Sequence, residues 1–117
     1  MKKLLLTVLL LAGCSTQANE TLEVTLNASK TELEAFEPVT FSAAVMYNEE
    51  PVQDNVEIEF ELISPTGSSI GSVKPDLIGN GKYSIETSFD GTGTYKVISH
   101  VSYGELHEMP EIEVKLK

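Results

Sequence analysis

The residues of this sequence best suited to metal chemistry are two histidines and a methionine near the C-terminus. His100, His107 and Met109 fall between positions 100 and 109, on either side of a glycine-containing turn. Imidazole nitrogen is a borderline ligand and thioether sulfur a soft one, so the set suits Cu(I), whereas a thioether is a poor ligand for zinc, calcium or magnesium. The pattern predicts a surface Cu(I) site, to which Met46 is a candidate further ligand.

A β-hairpin is the element that must position these residues. Gly104 suits the first central position of a two-residue type II′ turn, because that position requires a positive φ. Counting outward from the turn, Val97 pairs with Ile112 and Tyr95 pairs with Val114, so apolar residues meet on one face. The turn therefore fixes a register for the last two strands.

The same register places the candidate ligands on the opposite face of the hairpin. His100 is directly opposite Met109, while His107 lies beside Ser102 and diagonal to His100. Met46 closes the second predicted strand, before a loop that in immunoglobulin-like folds lies at the same end as this hairpin turn. The alternative is that these residues decorate an exposed hairpin without any metal, with Met109 packed beside the proline that follows it.

From position 22 onward the apolar residues recur at every second position, which is typical of half-buried strands, and no stretch has a helical period. The runs cover residues 22–26, 39–47, 56–62, 83–89, 95–103 and 112–116, with glycine-containing turns between several of them. About seven short strands at this spacing predict an all-β, immunoglobulin-like β-sandwich. Tyr95, shortly after Gly93, is either a tyrosine corner or a plain core tyrosine.

The first fourteen residues have the layout of an exported lipoprotein. Lys2 and Lys3 precede the apolar run 4–11, which is shorter than the roughly 20 residues that a membrane-spanning helix needs. The segment 11–14, Leu-Ala-Gly-Cys, resembles the lipobox of bacterial lipoproteins, in which a peptidase cuts just before an acylated cysteine. An ordinary signal peptide with an incidental cysteine is the alternative.

This organisation predicts a cleaved lipoprotein signal peptide at residues 1–13, an acylated Cys14 with a linker up to residue 20, and one β-sandwich domain at residues 21–117. Two or more acyl chains, such as palmitate, anchor a protein stably without a transmembrane helix. The mature protein is therefore expected as a monomer, lipid-anchored on the extracytoplasmic face of the cell membrane.

The net negative charge and the lack of catalytic motifs in the sequence disfavour two classes of function, nucleic-acid binding and catalysis. The sequence has 8 Lys+Arg and 18 Asp+Glu, and losing the two signal-peptide lysines leaves a formal charge of −12, which disfavours nucleic acid as a partner. Cys14 is the only cysteine, so no disulfide forms within the chain and no thiol remains for catalysis. With no nucleophile elbow, phosphate-binding loop or zinc-spaced histidine pair, the protein is expected not to be an enzyme.

From about Ala35 to Lys117 the sequence resembles the YtkA-like family of small bacterial lipoproteins and exported domains, which is related to FixH-like proteins. The resemblance lies in five blocks, at residues 36–41, 51–58, 79–85, 93–97 and 107–110. It implies an exported immunoglobulin-like domain associated with copper delivery or cytochrome oxidase maturation, with His107 and Met109 as the metal contact. This pair also resembles the C-terminal ligand pair of periplasmic Cu(I) chaperones, although their methionine-rich segment is missing here and only Met46 stands in for it.

Two functions from different classes stay open at this point. The first is a Cu(I) carrier that delivers copper to another extracytoplasmic protein. The second is a protein-binding module without metal, whose acidic surface recruits a basic extracellular protein, because immunoglobulin-like sandwiches host unrelated functions.

Overall fold

The computed structural model describes residues 20–117, and this part of the chain is all-β, as predicted. The predicted signal peptide, Cys14 and the linker up to residue 19 lie outside the described residues. Residues 20–117 contain no helical segment with the length and hydropathy of a membrane span. Their eleven strands are β1 (Leu22–Ala28), β2 (Glu32–Leu33), β3 (Val39–Tyr47), β4 (Glu50–Pro51), β5 (Glu57–Ile63), β6 (Ser69–Val73), β7 (Asp76–Gly79), β8 (Lys82–Thr87), β9 (Gly93–Tyr103), β10 (Leu106–Glu108) and β11 (Glu111–Leu116).

The strands form two sheets that pack face to face as a sandwich. The first sheet has the order β1-β3-β8-β7, with β4 paired to the end of β3. The second has the order β2-β11-β9-β5-β6, with β10 paired to β9. Paired strands are antiparallel except for β2 and β11, which are parallel. The structure confirms the predicted β-sandwich.

The core lies between the sheets and follows from the alternation of side chains along each strand. In β3, Val39, Phe41, Ala43 and Val45 are buried, and the residues between them face outward. The same alternation runs along the eleven residues of β9. Burying apolar surface stabilises a fold by roughly 25 cal/mol per Å². One continuous apolar core therefore holds the two sheets of the described domain together.

The apolar pattern did not indicate the edge strands β6 and β7, nor the two-residue strands β2 and β4. Six of the seven strands with five or more residues coincide with predicted runs, and β6 is the exception. Both edge strands are exposed throughout, and a register shift in each leaves Ile70 or Ile78 without a partner. A strand with no buried face needs no alternation, and bulges of this kind make an edge a poor template for pairing with another chain.

Tyr95 forms a tyrosine corner at the start of β9, which decides between the two alternatives for this residue. Its hydroxyl donates to the Gly91 carbonyl at 2.8 Å and accepts from the Gly91 N–H at 3.2 Å. The ring stacks on Phe89 with the two centroids 4.3 Å apart. Phe89 lies in the loop after β8 rather than in the predicted strand, yet this stacking keeps it buried. The corner thus ties the loop before β9 to the strand itself.

Ser99 is the one polar residue that is fully buried among residues 20–117. It lies on the inner face of β9 between Val97 and Val101, and its hydroxyl has no hydrogen-bond partner there. A buried hydroxyl without a partner destabilises a fold by about 1 to 3 kcal/mol. The buried hydroxyl of Ser99 at the centre of β9 therefore lowers the stability of the domain.

Tyr95→Phe is expected to lower the free energy of unfolding by about 1 to 2 kcal/mol, because it removes both hydrogen bonds of the corner and keeps the ring. Urea denaturation followed by circular dichroism measures the change. Tyr103→Phe is the matched control, since the hydroxyl of this half-buried residue bonds no group within residues 20–117, and it should change stability by less than about 0.5 kcal/mol. Equal losses in the two variants would contradict a special role for the corner.

Ser99→Ala is expected to raise the free energy of unfolding by about 1 kcal/mol, because the change removes the unpaired hydroxyl and leaves no large cavity. The same urea titration measures it, with Ser42→Ala on the outer face of β3 as the control that should have little effect. A clear loss of stability in Ser99→Ala would show that the hydroxyl has a partner after all.

Candidate metal site

The hairpin formed by β9, β10 and β11 has the register that the sequence predicts. Gly104 has a φ of 61°, as the first central position of a type II′ turn requires, and Tyr103 pairs with Leu106 across the turn. Further along, Val97 lies opposite Ile112. The apolar residues thus meet on the inner face, and the outer face carries the candidate ligands.

A two-residue interruption, Met109-Pro110, separates β10 from β11. Pro110 has no N–H for the ladder, but its carbonyl accepts a hydrogen bond from the Ser99 N–H at 2.9 Å. The register is the same before and after the interruption. Met109 therefore lies at the register position opposite His100, as predicted, and it is 62% exposed.

His100 points outward from β9 and is held by a carboxylate on the neighbouring strand. Its Nε2 lies 2.9 Å from Oε1 of Glu61 on β5, and 40% of its side chain is exposed. Glu59 is directly opposite His100 in the ladder, so Glu61 reaches the ring diagonally. Because an ionised carboxylate only accepts hydrogen bonds, Nε2 donates the proton of this bond and Nδ1 takes no part in it.

The pKa of the Glu61 carboxyl is lowered, first by the hydrogen bond with His100 and next by a side-chain hydrogen bond with Ser69 on β6. Partial burial of the carboxyl works in the opposite direction and is the weaker effect. Glu61 is therefore ionised at neutral pH. In its contact with His100, the carboxylate accepts the hydrogen bond and the imidazole donates it.

His107 lies on the outer face of β10, where it pairs with Ser102 of β9. Its Nδ1 is 2.8 Å from the Ser102 hydroxyl oxygen, and the imidazole is exposed. A hydroxyl both donates and accepts hydrogen bonds, so this contact is compatible with a proton on either ring nitrogen. Among the strands of residues 20–117, the three-residue β10 is hydrogen-bonded to β9 alone, and the Ser102 contact from β9 is what orients His107.

Met46 is not brought together with the other three candidates. It lies on β3 of the first sheet, and its neighbours Val45 and Tyr47 both point into the core. Met46 therefore faces outward on the opposite side of the sandwich. The prediction that Met46 lies at the hairpin end of the domain is correct, because the ring of the next residue, Tyr47, lies 5.0 Å from the ring of Tyr103 beside the turn. Met46 nevertheless lies on the opposite face of the sandwich from the hairpin donors. Alternation along β3 excludes it from the hairpin site.

The face around His100 is acidic but has no ready-made cluster of hard ligands. Glu57, Glu59 and Glu61 face outward at successive alternate positions of β5. Within residues 20–117, no three His, Cys, Asp or Glu side chains are arranged to hold a metal ion. Two imidazoles and the thioether of Met109 are the donors that remain. This soft and borderline set fits Cu(I), and the surrounding carboxylates favour any bound cation.

Sequence reasoning missed Glu61 as part of this site. Its position between apolar residues of β5 marks it as one of three glutamates on a solvated face, and that description applies equally to Glu57 and Glu59. Only the pairing of β5 with β9, which are far apart in sequence, brings Glu61 to His100. No local signal distinguishes it from the other two.

The fold and the donors define a small β-sandwich domain with a candidate soft-metal site on one outer face, and comparison with protein families identifies the chain. The YtkA-like family matches residues 16–100, so the chain belongs to this family. The matched range contains His100 and Met46. It ends before His107 and Met109, so the block at residues 107–110 is outside the range over which the family is matched.

Solved structures share this fold at low sequence identity. An engineered protein matches with a TM-score of 0.61 at 14% identity over 81% of this chain, which spans only 20% of that larger protein. CopC from Methylosinus trichosporium OB3b has a TM-score of 0.59 at 14% identity, covering 81% of this chain and 94% of CopC. Superoxide reductase (neelaredoxin) from Ignicoccus hospitalis has a TM-score of 0.56 at 14% identity, covering 87% and 85%. No curated protein matches the sequence. At such identities the structural matches show the fold alone.

Proposed function

We propose that this protein is a lipid-anchored extracytoplasmic carrier that binds Cu(I) on the hairpin and passes it to an acceptor protein, in copper trafficking or cytochrome oxidase maturation. The observation that carries the proposal is the placement of His100, His107 and Met109 on one exposed face. The family resemblance supports the same function, because it implies a domain associated with copper delivery.

Exposure of the donors favours transfer over storage. Met109 is 62% exposed and the His100 side chain is 40% exposed, so ligands of an incoming protein could reach a bound metal without unfolding of the hairpin. A site with three donors also leaves room for a donor from the acceptor. Both features are what a carrier needs, whereas a storage site gains from a closed, fully protein-bound metal.

The predicted anchor would hold the hairpin end of the domain close to the membrane. Glu20 and Tyr47 line one cavity together with the turn residues Gly104 and Glu105, so the described chain begins beside the hairpin turn. The stretch from Cys14 to Glu20 reaches at most about 20 Å when fully extended. A lipid on Cys14 would therefore place the donors within reach of an acceptor attached to the same membrane.

The open position of the donors supports a carrier rather than an enzyme. The three side chains lie on a sheet face, and catalytic sites commonly exclude water from the reacting groups. The structural likeness to a superoxide reductase does not alter this inference, because at 14% identity it concerns the fold.

A protein-binding module without metal is the second candidate, and the outward row of glutamates favours it. Glu57, Glu59 and Glu61 follow one another along β5, in a protein whose part after the signal peptide carries a formal charge of −12. Such a face is complementary to a basic protein and would speed encounter with it. Replacing these carboxylates would weaken binding of a basic partner, whereas replacing His107 and Met109 would leave it unchanged.

His107→Ala combined with Met109→Ala is expected to weaken Cu(I) binding by more than about 100-fold, because losing ligands costs more than losing their hydrogen-bond partners. The measurement is a Cu(I) titration under reducing conditions against a competing chelator. Residues 15–117 are the form to use, since they contain the whole described core and omit the Cys14 thiol, which would itself bind Cu(I).

Met46→Ala is the matched control for this titration, because it removes a thioether from the opposite face of the sandwich and should leave Cu(I) affinity unchanged. Stoichiometric binding that is lost in the double variant and kept in Met46→Ala supports the carrier. Absence of binding, or equal binding by all three proteins, would rule out the copper function and leave the protein-binding module.

Cys14→Ser is expected to abolish labelling with palmitate and to move the protein from the membrane fraction to the soluble fraction, because the thioether-linked lipid is the predicted anchor. The experiment is metabolic labelling and fractionation in a bacterial host that processes lipoproteins, with Ser15→Ala as the control that keeps the cysteine. Membrane association of Cys14→Ser without any label would contradict lipid anchoring.

A further inference from the structure

The two histidines of the site are held by partners of different chemistry. His100 bonds a carboxylate through Nε2, and His107 bonds a hydroxyl through Nδ1. Only the carboxylate fixes the direction of its hydrogen bond, because it has no proton to donate. The contact with Glu61 therefore requires a proton on Nε2 of His100 and leaves Nδ1 outside this hydrogen bond.

We propose that Glu61 is a positioning residue of the copper site: by accepting a hydrogen bond from Nε2 of His100, it makes Nδ1 the atom of that imidazole that binds Cu(I). The inference rests on the proposed function and extends it, since it names one ligand atom and the residue that selects it.

Several observations support a positioning role for Glu61. The contact joins the neighbouring strands β5 and β9, both of which lie inside the second sheet with partners on each side. The Glu61 side chain is 26% exposed and the His100 side chain 40% exposed, so both partners of the contact are partly shielded by the sheet. The imidazole ring of His100 is thus held by a side chain of the neighbouring strand within the sheet.

The physical consequence is a ligand that loses less freedom when metal binds. Metal-bound histidines commonly donate their second N–H to a carboxylate, which orients the ring and makes the ligating nitrogen more basic. Fixing a side chain in its bound orientation beforehand removes part of the entropic cost of ordering that side chain on binding.

Glu59 provides an internal comparison for this role. It lies directly opposite His100 on β5, carries the same charge as Glu61, and makes no hydrogen bond to the ring among the described contacts. Removing either carboxylate changes the local charge by the same amount. A difference between the two variants therefore measures positioning and not general attraction for a cation.

The first test is histidine-ring ¹⁵N NMR of residues 15–117 before and after addition of Cu(I). We expect the metal to shift the Nδ1 resonance of His100 while Nε2 stays protonated. In the metal-free protein, the contact between the His100 ring and the residue 61 side chain should persist in Glu59→Ala and be lost in Glu61→Ala. A metal-induced shift at Nε2 of His100 would overturn the inference.

The second test compares Cu(I) affinities of matched variants by chelator competition. Glu61→Ala should weaken binding by about 10- to 100-fold, and Glu59→Ala by no more than about threefold. Glu61→Gln should recover most of the affinity, because its amide oxygen can accept the same hydrogen bond without the charge.

The outcomes separate this inference from the proposed function. If the parent domain binds no Cu(I), the carrier function and the inference fail together. If it binds Cu(I) and Glu61→Ala behaves like Glu59→Ala, or Glu61→Gln is as weak as Glu61→Ala, the carrier stands and the positioning role of Glu61 is overturned.

Discussion

The pairing of β9 with strands on both of its sides is the constraint on which the core and the candidate site both depend. Val97, near the middle of β9, is held between Leu62 of β5 and Ile112 of β11. Because side chains alternate along a strand, a slip of one residue would expose Val97 and turn His100 into the apolar interior. Two costs oppose such a slip. The imidazole of His100 would be buried without a hydrogen-bond partner, and the apolar side chain of Val97 would be exposed to water. The interactions that stabilise the sandwich therefore also determine the face on which the histidines lie.

Short-range signals account for the parts of this structure that the sequence predicts. The hairpin register depends on Gly104 and on apolar pairs within about twenty residues of chain, so it follows from turn chemistry and alternation alone. The long half-buried strands follow from alternation as well. Strands β6 and β7 carry no such signal, because both are exposed throughout and neither has a buried face to mark in the sequence. Their place is set by hydrogen bonds to β5 and β8, which composition does not encode.

Two features of the site depend on long-range arrangement and could not be predicted. Met46 was expected near the hairpin because its strand ends at the same end of the sandwich, which is correct, as the contact between Tyr47 and Tyr103 shows. Which face it occupies depends on the sheet to which β3 belongs, and the sequence does not specify that sheet. The contact between Glu61 and His100 likewise arises from the register of two strands separated by β6, β7 and β8. Local patterns thus located the candidate donors of the hairpin but not the carboxylate that hydrogen-bonds one of them.

The two sides of the candidate site differ in how firmly the fold holds them, and this difference bears on metal transfer. His100 lies within a strand of eleven residues and is bonded to Glu61, whereas His107 and Met109 lie on a three-residue strand and the interruption after it. Segments with few buried contacts open at a low cost in free energy. In a carrier, the β10 side would therefore release copper first, while His100 retains it as a donor of the acceptor approaches. Transfer would then proceed by exchange of one ligand at a time, without release of the metal into solvent. The exposure that makes this face unsuitable for storage is what makes such an exchange accessible.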